Sequence, residues 1–310
     1  MVRSSALITT LTLCVLPLTA CTPTSEAEAP KTAHPTVTTT PTARDVAQTL
    51  HALEAEYDAR VGVVATDTAT GHTVAYNAHE RFGFASTLKA FAAAEFLHAV
   101  PAADRDEHVR WTAEDIAQAG YSPVTEQHIE DGLTYTQLAE AAVRDSDNTA
   151  MNLILKRVGG PEGLDRALAE LGDTTTSVVH YEPELNTLTP GSSDDTTTAE
   201  AFTTALHTYL DEHTLSKRDA DTLVDWMSGN ATGDALIRAG APDGWTVADK
   251  SGGAGGIRND IAIVTPPHRS PIIISILTTK NDPAAKYDDS LVERTAHAVL
   301  ETFGASPARA

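Results

Sequence analysis

The sequence predicts an α/β fold: an antiparallel sheet flanked by helices and completed by both ends of the folded chain, with an all-α domain inserted between. Three observations carry this reading. A helical pattern and a hairpin pattern open the folded part, helical patterns fill its middle, and strand patterns followed by a helix close it. With 310 residues, 41% of them hydrophobic, the chain has material for one large domain or two intimately packed ones.

In chain order, Arg3 precedes an apolar stretch from Ala6 to Leu18, broken by threonines and Pro17, too short for a good membrane span and suited to a secretory signal. Leu18-Thr19-Ala20-Cys21 resembles the bacterial lipobox, in which the cysteine thiol takes a lipid and becomes the first residue after cleavage. Residues 1–21 are therefore expected to be a lipoprotein signal peptide. The protein is expected to be exported and held on the outer face of the cell membrane through Cys21 alone, with extracellular release of a soluble form as the alternative. Residues 22–42 are rich in Thr, Pro, Ala and Glu and read as a flexible stalk.

Ala43 to Tyr57 carries Val46, Leu50, Leu53 and Tyr57 at helical spacing. Val61 to Ala65 and Thr73 to Tyr76 flank a Thr70-Gly71 turn and form a hairpin pattern. A strongly apolar helix follows, through Phe91, Ala92, Ala93, Ala94, Phe96 and Leu97. Between Pro101 and Leu171 the clearest helices are Leu133 to Arg144, Ala150 to Val158 and Pro161 to Leu171. A polar loop spans 178–195, and helical spacing resumes over Thr198 to Leu210 and Ser216 to Met227. Strand patterns over Thr246 to Lys250, Asp260 to Val264 and Ile272 to Thr279 precede an amphipathic helix from Leu291 to Phe303. This assigns 43–77 and 230–310 to the α/β domain and 78–229 to the all-α domain.

The formal charge of −21 argues against nucleic acid as a partner and against docking on anionic lipid, since both need excess Lys and Arg. The two cysteines, Cys14 and Cys21, both precede the folded part, so no disulfide can form within it. The 12 histidines fall in no zinc-ligand spacing, no phosphate-cradling glycine loop occurs, and no cofactor or metal is expected.

Chemistry points to the start of the apolar helix. Ser86 and Lys89 share one helical face within a turn, where a lysine desolvated against an apolar wall can take the hydroxyl proton and leave a nucleophile. Three further strings follow: Ser146-Asp147-Asn148, Glu182-Pro183-Glu184-Leu185-Asn186 and Lys250-Ser251-Gly252. In this order and at these intervals the chain, from about Ala43 onward, resembles a class A serine β-lactamase, for which the Ser-x-x-Lys, Ser-Asp-Asn and Lys-Thr-Gly set is characteristic.

The resemblance implies the two-domain fold shared with penicillin-binding proteins, a monomer, and hydrolysis of penicillin- or cephalosporin-type β-lactams through a serine acyl-enzyme, with antibiotic resistance as the outcome. Ser86 would attack; Lys89 or Glu182 would take its proton; Ser146 would relay a proton to the leaving nitrogen; and Glu182, helped by Asn186, would activate the deacylating water. Asn148 would bind the acylamino carbonyl, Lys250 and Ser251 the substrate carboxylate, and the Ser86 and Gly253 backbone N–H groups the oxyanion. Arg258 would be a second carboxylate ligand, Tyr121 an aromatic wall at the cleft mouth, Asp147 a structural acid, and Gly252 a point of close approach between strand and ligand.

Two departures bear on these roles. His180 stands where relatives carry an arginine, and it is expected to pair, protonated, with Asp195 at the far end of the loop. The turn before Arg258 is one residue short of the common pattern, which leaves the reach of that arginine open. The rival functions are a penicillin-binding D,D-peptidase, against which Glu182 and Asn186 speak as a water-activating pair, and a non-hydrolytic β-lactam sensor; the lifetime of the acyl-enzyme separates the three.

Overall fold

The computed structural model describes residues 42–304. The expected signal peptide with Cys21, and the stalk up to residue 41, lie outside the described residues. Thr42, assigned to the stalk by composition, instead caps helix α1 (Ala43–Tyr57): its hydroxyl accepts the Asp45 N–H, and the Asp45 carboxylate accepts the Thr42 N–H.

Strands β1 (Ala59–Asp67) and β2 (Thr73–Tyr76) form the hairpin. Together with β3 (Thr246–Ala254), β4 (Ile257–Thr265) and β5 (Ile272–Lys280) they make one antiparallel sheet in the order β2-β1-β5-β4-β3. β1 lies against β5 from Ala59 opposite Lys280 to Asp67 opposite Ile272, so the first and last strands of the fold are neighbours. The two ends of the chain complete one sheet, as the sequence pattern implies.

The strand beyond Lys250 is longer than expected. Gly252, Gly253 and Ala254 stay paired with Asn259, Arg258 and Ile257, and only Gly255 and Gly256 turn the corner. Glycine inside a strand also marks close approach of another backbone, and that reading holds here. A Cβ on Gly252 would lie 2.9 Å from the Thr87 nitrogen and 3.1 Å from the Ser86 nitrogen. The bare face of Gly252 lets β3 pass against the turn that carries Ser86, and the same residue lines the cleft beside Ser251 and Gly253.

The inserted part holds α2 (Leu88–Ala99), α3 (Ala113–Ala119), α4 (Tyr135–Arg144), α5 (Asn148–Arg157), α6 (Gly160–Glu170), α7 (Ala199–Leu210) and α8 (Lys217–Ser228), and α9 (Asp289–Gly304) ends the described chain. Helix α2 is buried on all sides from Leu88 to Leu97, as a central helix must be, and its only charged side chains there are Lys89 and Glu95. One core fills the space between α1, α9 and one face of the sheet, using Leu50, Val63, Ile272, Ile274, Ile276 and Phe303. The other packs the inserted helices on the opposite face, where Ile261, Ile263 and Ile273 point. Successive isoleucines of β5 therefore serve different cores, which explains an apolar run without alternation in an antiparallel strand.

Candidate active site

Ser86 sits in a single 3₁₀ turn, Ala85–Thr87, that feeds α2. The turn is held from both sides: Thr87 donates its hydroxyl to the Phe84 carbonyl, and the Asn259 amide of β4 donates to the carbonyls of Gly83 (2.8 Å) and Phe84 (3.2 Å). Ala85 has φ of +46°, a left-handed conformation costly for a residue with a Cβ, immediately before the serine.

One turn into α2, Lys89 is fully buried, with Nζ 3.0 Å from Ser86 Oγ, 2.7 Å from the Ser146 carbonyl, 2.6 Å from Asn148 Oδ1 and 3.1 Å from Glu182 Oε1. Burial lowers the Lys89 pKa against the opposing pull of the Glu182 charge. The amine and carboxylate at this contact distance form the centre of the site.

Ser146 and Asn148 come from the connection between α4 and α5. Asp147, between them, accepts bonds from the Val124, Thr125 and Ala150 N–H groups and the Thr125 hydroxyl, a structural role consistent with its complete burial. It fixes the turn in which Ser146 takes φ of +56°. Asn148 Oδ1 is occupied by Lys89, and its Nδ2 donates to the Ala119 carbonyl at 2.8 Å, which fixes the orientation of the amide.

Glu182 reaches Ser86 through the loop 178–195. Its entrance and exit are joined by the Ser177–Thr196 bridge, and Asp195 closes the neck: Oδ1 accepts the Val179 and His180 N–H groups at 3.0 and 3.1 Å, while Oδ2 meets His180 Nδ1 at 2.6 Å. The expected His180–Asp195 pair is present, and the hydrogen bond to Asp195 raises the His180 pKa. Inside the loop, Asn152 of α5 grips the Glu182 backbone, donating to its carbonyl at 2.8 Å and accepting its N–H at 2.9 Å. The carboxylate then lies with Oε1 3.4 Å from Ser86 Oγ and Oε2 2.6 Å from Asn186 Nδ2.

Strand β3 supplies the facing wall. Lys250 is fully buried, donates to Ser146 Oγ at 3.1 Å and to the Ser251 carbonyl at 2.7 Å, and has its pKa lowered to about 7 by burial and then by the Lys89 charge. Arg258, opposite Gly253 in the ladder, reaches the cleft despite the short turn, with Nε 2.6 Å from Asp289 Oδ1. Ser86, Tyr121, Ser146, Asn148, Glu182, Asn186, Ser251, Gly252, Gly253 and Arg258, ten of the residues expected from sequence, line one cavity of about 190 Å³. Lys89 and Lys250 lie behind it, in contact with its serines.

Sequence reasoning missed Thr232, whose hydroxyl bonds that of Ser251 on the cavity wall, and Asn152, Asp289 and Tyr287, which hold or flank its members. A larger cavity of about 400 Å³ adjoins the site, sharing Glu182 and lying between α3, α5 and the loop.

Residues 45–303 match the model of the beta-lactamase enzyme family. The chain is 45% identical over 252 residues to a beta-lactamase of Bacillus licheniformis, covering 81% of each. It is 47% identical over 252 residues to beta-lactamase 3 of Bacillus cereus, covering 81% of this chain and 79% of that one. A crystal structure of a class A beta-lactamase from Clostridium kluyveri superposes with a TM-score of 0.80 at 44% identity, over 83% of this chain and 98% of that one.

Proposed function

This chain belongs to the beta-lactamase enzyme family as a class A serine enzyme, and from that premise we propose how its residues divide the hydrolysis of a β-lactam amide. The activity is opening of penicillin- and cephalosporin-type rings, which confers antibiotic resistance.

Lys89 Nζ and Glu182 Oε1 stand 3.1 Å apart, close enough for a proton to pass between them. With the proton on Glu182, Lys89 is a free amine 3.0 Å from Ser86 Oγ, nearer than the carboxylate at 3.4 Å, and it accepts the hydroxyl proton as Oγ bonds to the β-lactam carbonyl carbon. The Ser86 and Gly253 N–H groups receive the oxyanion. As the C–N bond breaks, Ser146 passes its proton to the nitrogen and is reprotonated by Lys89, 3.4 Å away. Lys250, Ser251 and Arg258 hold the substrate carboxylate, Asn148 faces the acylamino carbonyl, and Tyr121 forms the outer wall.

Glu182 then returns its proton to Lys89 and becomes the base for water. Asn186 presents a buried Oδ1 that takes no bond from the described residues, an acceptor available to that water beside the Glu182 carboxylate. The hydroxide adds to the ester, Ser86 Oγ leaves and takes a proton from Lys89 at 3.0 Å, Glu182 keeps the proton of the water, and the opened product departs. The observation that carries this reading is the Glu182 carboxylate between Ser86 and Asn186, because a stable acyl-enzyme would need no base there.

The test is Glu182→Ala: intact-mass spectrometry after benzylpenicillin should show a persistent adduct on Ser86, with deacylation slowed by about 10²–10⁴-fold. Unchanged turnover in this variant would overturn the assignment.

We propose further that the protein is exported and anchored through Cys21, on the strength of the lipobox-like string alone. Metabolic labelling with a fatty acid should mark the wild type and not Cys21→Ala; equal labelling would refute it.

A further inference from the structure

Beside the carboxylate end of the cleft stands a residue to which neither the sequence motifs nor the mechanism gives a role. Tyr287 is 41% exposed beside the half-buried Arg258, and its hydroxyl has no hydrogen-bond partner among the described residues. Its N–H bonds the Gly255 carbonyl at 3.1 Å, which ties it to the corner between β3 and β4. Its ring lies 4.8 Å from the Arg258 guanidinium carbon, and Arg258 is held from another side by Asp289. A Cβ placed on Gly253 would meet the ring at 3.2 Å and Arg258 Nη1 at 3.0 Å. The cleft wall at Gly253 therefore has no side chain of its own, and the aromatic ring and the guanidinium fill that place from the side.

We propose that Tyr287 selects among β-lactams by the substituent next to the ring carboxylate, favouring cephalosporins in which that substituent is extended or unsaturated. The inference rests on the carboxylate being held by Lys250, Ser251 and Arg258. A group on the neighbouring ring carbon leaves the substrate at the same edge as the carboxylate, and so arrives beside Arg258, where the Tyr287 ring is the exposed apolar surface. A flat substituent gains contact with the ring; a bare methyl gains little. Guanidinium stacking adds to this by holding the ring and Arg258 in fixed relation before substrate arrives.

The experiment compares two cephalosporins with the same acyl side chain, one bearing a methyl and the other an acetoxymethyl group beside the carboxylate, in wild type, Tyr287→Phe and Tyr287→Ala. In Tyr287→Ala, KM for the acetoxymethyl compound should rise about fivefold with kcat held, and KM for the methyl compound should change less than about twofold. Tyr287→Phe should match wild type on both, because the ring and not the hydroxyl makes the surface. An equal rise for both substrates would mean that the ring only steadies Arg258, and no change for either would mean that it touches nothing; each result overturns the proposal. If the alanine variant does not fold, Tyr287→Leu is read by the same split. Failure of the wild type to turn over benzylpenicillin would instead strike the hydrolase reading.

Discussion

The neck of the loop that carries Glu182 is closed by a group that titrates near neutrality. Pairing with Asp195 raises the folded-state pKa of His180, so its stabilisation is complete below the unfolded value of about 6.5 and fades as pH climbs through the raised one. Besides Asp195, the charges of Asp194 and Glu184 act on the ring in the same direction. The His180 side chain is 49% exposed and Asp195 only 2%, so solvent screens the pair, and its charge contribution belongs with surface ion pairs at about 0.2–1 kcal/mol. Neutral histidine can still donate Nδ1–H, and two backbone N–H groups remain on Asp195. Deprotonation should therefore raise the open-to-closed ratio of the loop by about 1.4- to fivefold, without collapse.

Replacing His180 by Arg keeps the charge to beyond any working pH. Amide exchange over 178–195 reads the open-to-closed ratio directly, and the wild-type-to-variant comparison at each pH cancels the intrinsic pH dependence of exchange. The two proteins should exchange alike at pH 6, and the wild type should exchange about 1.4- to fivefold faster at pH 9. Deacylation measured after an acylation burst should follow the same divergence, with the arginine variant retaining more of its rate at alkaline pH. Superimposable profiles in both measurements would refute the clamp and leave His180 as a surface residue.

Two further outcomes are expected. Lys250 binds a carboxylate only when protonated, and its pKa is lowered to about 7, so KM for benzylpenicillin should climb above that pH by up to about tenfold per unit, while kcat measured at saturation holds; a flat KM between pH 6 and 9 would contradict this. Replacing Gly252 by Ala puts a methyl group into the backbone of the Ser86 turn, so the melting transition should fall by the equivalent of about 1–3 kcal/mol and the acylation rate should drop with it, whereas a variant with unchanged melting and kcat/KM would show that β3 has room to move.

What the sequence made legible follows a physical rule. Ser86, Lys89, Ser146, Glu182 and Lys250 could be read because reactive chemistry restricts residue type and short-range spacing, and the long helices could be read because burial imposes a period on ten or more residues. Helix α3 also carried a readable signal, the Thr112–Asp115 capping box, but its seven residues gave too little period to separate it from its helical surroundings. The paired dipeptides Phe82–Gly83 and Thr196–Thr197 had no period at all.

The residues that went unread act across sequence distance. Asn152 grips Glu182 from 30 positions away, Asp289 holds Arg258 from 31, and Thr232 meets Ser251 from 19. Each is a common polar type on an ordinary stretch, and only the packing of α5 against the loop, or of the α9 start against β4, gives it a task. Gly252 shows the same limit inside a motif: glycine announced a close approach to ligand, but its second close approach, to the Ser86 turn 166 positions away in sequence, is visible only in the fold. Local chemistry thus names the reacting groups, while the partners that aim them are set by long-range packing, which is why a specificity residue such as Tyr287 emerges only from the folded cleft.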